Sequence, residues 1–137
     1  MSVLQSRTTI LAALKTLIEN ISAVGTVFDS PMTSSELSAS DYPAVDLQWA
    51  GGNVDYSPQV QSGQAEFSEI MNLRIYTRTR ADIDTITYAI HDALLADFTL
   101  GDTCLAALTM SADPPRIYGD APYIADLALK IRYRRSY

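Results

Sequence analysis

The chain has 137 residues, 47% of them apolar, and a formal net charge of −6 at pH 7. That length fits one domain of about 100–200 residues, enough to bury a core without staples, and the acidic balance argues against a general nucleic-acid binder, whose surface is basic. No apolar run approaches the roughly 18 residues of a membrane span, and a single cysteine, Cys104, excludes an intrachain disulfide, which fits a reducing compartment.

In chain order, residues 6–23 predict an amphipathic helix. Ile10, Leu14, Leu17, Ile18 and Ile21 fall on one face of a 3.6-residue period. Lys15 and Glu19 interrupt the apolar residues, so this start does not read as a secretion signal, and the chain is expected to stay where it is made. Gly25 is placed to end the helix. Thr26–Phe28 predicts a short strand, and 30–42 (SPMTSSELSASDY) a serine-rich surface loop.

Val45, Leu47 and Trp49 alternate with Asp46 and Gln48, as on a half-buried strand. Residues 51–65 carry three glycines and a proline and predict an extended loop. The strand 66–78 follows, with Phe67, Met71, Leu73 and Ile75 on one parity. The two strands read as an antiparallel hairpin with an overgrown tip.

Asp82 is placed to cap a second helix over 83–98, with Ile83, Ile86, Ile90 and Leu94 as its buried stripe and Gly101 beyond its end. Cys104–Met110 predicts a strand, and 111–122, with three prolines and a glycine, a loop. From Tyr123 to Arg134 apolar and polar residues alternate with a period of two, which leaves little room for a helix. The order α-β-β-β-α-β-β predicts an α+β two-layer sandwich: a mostly antiparallel four- or five-stranded sheet with both helices on one face. The other face stays wet or meets a partner.

No catalytic constellation stands out. His91 is the only histidine, so a nucleophile would have one possible imidazole base. It sits beside the core-facing Ile90 and reads as a boundary residue. Asp84, Tyr88 and His91 share a helix face, a spacing surface helices carry routinely, and Asp82, Asp84, Asp92 and Asp97 read as solvated carboxylates and caps. Cys104 reads as a packed thiol. Zinc spacing, calcium-loop spacing, a P-loop and GxGxxG are all missing, so no cofactor or metal is expected.

Two features rise above that background. Eight of the ten basic residues lie from Arg74 onward, while 29–66 holds acids and no base. Arg74, Arg78 and Arg80 share one parity, and Lys130, Arg132 and Arg134 another, so all six are expected on the face away from the helices. That face is either a solvated surface whose charges prevent edge-to-edge aggregation or a basic surface for an acidic neighbour, since guanidinium binds carboxylate bidentately. The 51–65 loop carries Val54, Tyr56 and Val60, apolar groups that suit burial against a partner as much as an idle loop.

The layout resembles the tail-terminator, or tail-completion, proteins of long-tailed bacteriophages, including the minor tail protein U type. The resemblance rests on the leading helix, the strand start Tyr42-Pro43-Ala44-Val45, the strand Leu73-Arg74-Ile75-Tyr76, the helix Asp84 to Leu95 and the closing strand Asp126 to Tyr133. It covers almost the whole chain, in order and spacing more than in fixed residues. It implies a virion subunit, made in the host cytoplasm, that closes into a homo-oligomeric ring, usually a hexamer. Such a ring caps the tail tube at its head-proximal end, stops its polymerisation and offers a surface to head or neck connector proteins. DNA would meet it only as the passing genome, and no membrane is involved. A head–tail joining or neck protein is the near alternative. A small enzyme or ligand-binding domain using Asp84, Tyr88 and His91 is the distant one.

Overall fold

The structure, a computed structural model, describes residues 5–55, 64–114, 116–117 and 122–136. Helix α1 spans Arg7–Glu19. Ser6 caps it, its Oγ accepting from the Thr9 amide at 3.2 Å, which satisfies one donor of the open first turn. Ile10, Leu14 and Ile18 are fully buried. The helix ends before Gly25, at an Asn20 cap. Gly25 serves a different purpose: its amide donates to the Pro43 carbonyl at 2.7 Å. A Cβ there would stand 2.9 Å from the Tyr42 carbonyl oxygen, so only glycine lets the chain approach so closely.

Helix α2 spans Arg80–Ala96 and is capped by Thr79, whose hydroxyl accepts from the Asp82 amide. The cap lies three residues earlier than the predicted Asp82. All four residues of the predicted stripe, Ile83, Ile86, Ile90 and Leu94, are buried.

The strands are β1 (Thr26–Phe28), β2 (Ala44–Asp55), β3 (Gln64–Thr77), β4 (Ala106–Ala112), β5 (Arg116–Ile117) and β6 (Tyr123–Ser136). They form one mixed sheet in the order β1-β2-β3-β6-β4, with β5 also on β6. Strands β4 and β5 pair with successive stretches of β6, 127–132 and then 123–124, so they act as one interrupted edge strand. Among the described residues β1 and β2 pair in parallel and every other pairing is antiparallel. The unit is the expected α+β two-layer sandwich with two helices on one face. Val45, Leu47, Met71, Leu73, Ile75, Leu127, Leu129 and Ile131 join the stripes of both helices in a single core. No helix among the described residues is long and apolar enough to cross a membrane.

Strand β2 runs through the glycines that predicted a loop. Trp49 pairs with Met71 and Gly52 with Glu69, leaving Ala50 and Gly51 opposite Ile70, a bulge of two residues against one. A Cβ on Gly52 would lie 2.0 Å from the Ser68 carbonyl oxygen, so the bulge requires glycine there.

The segment 30–42 does more than the expected surface loop. It folds over one end of the open sheet face in two short 3-10 turns. Tyr76, Ala44 and Ile124 form a second small core there, with Phe28, Leu37 and Tyr42 packed on it. The Tyr76 hydroxyl donates to the Met32 carbonyl at 2.6 Å, and the Met32 amide donates to Asp46 Oδ2 at 3.0 Å.

Candidate assembly surface

The face away from the helices carries the even-numbered residues of β3 and β6. The parity therefore places Arg74, Lys130, Arg132 and Arg134 as expected, but the register sets acids among them. Arg74 lies between Asp46 on β2 and Asp126 on β6. Its Nε donates to Asp126 Oδ1 at 2.9 Å, and Arg116 Nη2 donates to Asp126 Oδ2 at 2.9 Å. Arg132 Nε donates to Glu66 Oε1 at 2.7 Å. Around Arg74, Arg116 and Arg132 the surface thus pairs opposite charges across the strands, while the solvated and the basic reading of this face both remain open at Lys130 and Arg134. Cross-strand ion pairs hold the ladder together, which leaves Arg74 and Arg132 less to offer a partner.

Of the six predicted cations, Arg78 meets the segment that covers one end of this face, and Arg80 leaves it. Arg78 turns to segment 30–42, where Nη2 donates to the Ala39 carbonyl at 3.1 Å and the guanidinium stands 5.3 Å from the centre of the Tyr42 ring. Arg80 opens α2. Strand parity stops at Thr77, because Thr79 already caps the helix. Lys130 and Arg134 are exposed, and among the described residues no ion pair binds either to a carboxylate.

Burial and hydrogen bonding set the ionisation of these acids. Burial acts to raise the Asp126 carboxyl, but the guanidinium bonds from Arg74 and Arg116 outweigh it and hold the group below its ordinary value. Asp46 goes the other way: burial dominates and raises it, although Met32 and Tyr76 donate to it. A polar depression of about 260 Å³ opens between them, walled by Pro31 and Met32 and floored by Asn72 and Ala128.

Beyond Gly52 the strands β2, β3 and β6 continue as a three-stranded ribbon. β1 pairs with β2 only through Asp46, and β4 with β6 only through Arg132. Among the described residues no strand covers the outer edge of β2 after Asp46 or of β6 after Arg132. On the helix side of the ribbon Val54, Phe67 and Tyr133 form one row. Phe67 and Tyr133 stack at 5.0 Å between ring centres, and Val54 is 41% exposed. Tyr56 and Val60 lie outside the described residues.

The ribbon is fastened to α1 by a contact the sequence reading missed. Arg7 Nε donates to both carboxylate oxygens of Glu69 at 2.9 Å, and the Tyr133 hydroxyl donates to the same carboxylate. Glu69 shares its parity with Phe67 and Met71, and that charge on an apolar face was the available signal.

The remaining candidates stay apart. His91 Nδ1 lies 3.1 Å from the Thr109 hydroxyl on β4, while Tyr88 is among the most exposed side chains. Burial pushes the Cys104 thiol up to about 11. Among the described residues no group of three or more His, Cys, Asp or Glu side chains lies close enough to hold a metal ion. The chain matches no protein-family model and no curated protein sequence.

Proposed function

We propose that this chain is a structural subunit of a phage tail, which assembles into a ring, hexameric by the resemblance, that caps the head-proximal end of the tail tube. The observation that carries the reading is the ribbon of β2, β3 and β6, whose β2 edge no strand covers after Asp46 among the described residues. An uncovered strand edge is a template for another chain; on β6 the Arg134 amide is already bonded to the Gln5 side chain at 2.8 Å, so the β2 edge is the one on offer. A surface that meets a different surface on its neighbour closes into a ring when the rotation closes. The capping ring offers the tube one surface and the head or neck connector another, so tube subunits no longer add. A net charge of −6 suits a ring through which DNA passes without adhering. The order of elements that resembles tail-terminator proteins supports the same reading.

The test is tube growth in vitro. Tube subunits polymerising in the presence of the chain should stop at lengths that shorten as the chain is added. Tubes whose lengths are unaffected at saturating chain would contradict the proposal. A head–tail joining role predicts instead unaltered tube lengths and binding to the filled head.

A further inference from the structure

Among the described residues six large hydrophobic side chains are exposed, and three of them, Tyr88, Leu95 and Phe98, lie on or just beyond α2, whereas Leu108 pairs with Lys130 and stands on the sheet face away from the helices. Met110 is also on β4, and each of these is 40% to 66% exposed. Two contacts bring these elements side by side: His91 with the Thr109 hydroxyl, and the Ala107 amide donating to the Phe98 carbonyl at 2.7 Å. A bulge leaves Met110 as the extra residue between Thr109 and Ser111. Clustered exposed apolar groups mark an interaction surface, whereas scattered ones do not.

The charge on α2 identifies what fits it. Asp84, Tyr88, Asp92 and Leu95 are spaced four, four and three apart, one outward stripe of α2, and all four are exposed. Among the described residues neither aspartate is in an ion pair. The opposite charge, equally uncommitted, stands at the end of β6: Arg135 is exposed and is in no ion pair among the described residues, and it shares the helix-side face of the ribbon with the exposed Val54. We infer that the α2 flank of one copy receives the basic ribbon end of a second copy. Tyr88, Leu95 and Phe98 would cover the helix-side row of Val54, Phe67 and Tyr133, and Asp84 and Asp92 would meet Arg135, which shares that face. Donor and receptor are different places on the chain, so the contact is head-to-tail. The inference rests on the ring reading and names the contact that closes it.

Two variants test it by sedimentation velocity at low salt: Asp84→Lys with Asp92→Lys, and Arg135→Glu. Each alone should weaken self-association by about tenfold or more, because like charges then face each other. An equimolar mixture should recover the assembly, since each variant then finds the opposite charge on the other. That recovery also rules out misfolding as the cause of the loss. A wild-type chain that stays monomeric, alone and with tails, overturns the ring reading and this inference together. A wild-type ring that either variant forms equally well, or a mixture that stays dissociated, overturns this inference alone.

Discussion

Glu69 and Asp46 are both strand carboxylates almost closed to solvent, and their ionisation moves in opposite directions. Hydrogen bonds from Arg7 hold Glu69 below its ordinary value of 4.5, against the effect of burial. A carboxylate lowered in the fold stabilises it above the ordinary range, and that stability is lost as pH falls through the folded value. Glu69→Gln should therefore cost about 1–2 kcal/mol at pH 7 and less at pH 3, by urea unfolding. The figure sits low in the range for charged hydrogen bonds because the Arg7 side chain is 57% exposed. Asp46 is raised, so the fold is favoured while it holds its proton and loses that contribution as pH rises. Asp46→Asn keeps an oxygen for Met32 and Tyr76 to donate to. Its urea midpoint at pH 7 should equal or exceed the wild type, with the difference closing below pH 4; a midpoint well below wild type at pH 7 would contradict the burial argument. The Cys104 thiol, pushed up to about 11 by burial and then by Asp97, should react with a thiol reagent far more slowly in the native chain than in urea.

Among the elements, the helices were the most legible. A stripe of four isoleucines and leucines at helical spacing dictates its own burial, and the alternation from Tyr123 onward dictates a strand. Less was readable where distant segments meet. Parity gave the side on which Arg74 and Arg132 stand, but their acidic neighbours depend on register. Asp126 reaches Arg74 only because Leu73 pairs with Leu127. Segment 30–42 has too few large apolar groups to announce packing, yet Leu37 and the tether at Tyr76 settle it on the sheet. Tyr76→Phe should cost about 1–2 kcal/mol and speed amide exchange at Met32, with little change in α1. Glycine was read as a loop signal at 51–52, whereas the strand continues through a bulge that demands it. Gly52→Ala should cost about 1–3 kcal/mol and loosen Asn53 and Val54, visible as faster exchange confined to that end of the ribbon.

For the whole molecule, the single chain leaves three surfaces unsatisfied: the β2 edge of the ribbon, which no strand covers after Asp46 among the described residues, the apolar side chains on and beyond α2, and Arg135 at the ribbon end, which no carboxylate neutralises among the described residues. Each is costly or idle in a solitary domain, and each is accounted for if copies meet head-to-tail. Rim charges act mainly on association rate and its salt dependence, so assembly should weaken as ionic strength rises through about 0.15 M, where screening shortens to about 8 Å. The most direct measurement is electron microscopy of the purified chain mixed with uncapped tail tubes. Closed rings of one size should be seated at a single end of each tube. Compact monomers in the background and bare tube ends at every ratio would contradict a capping ring.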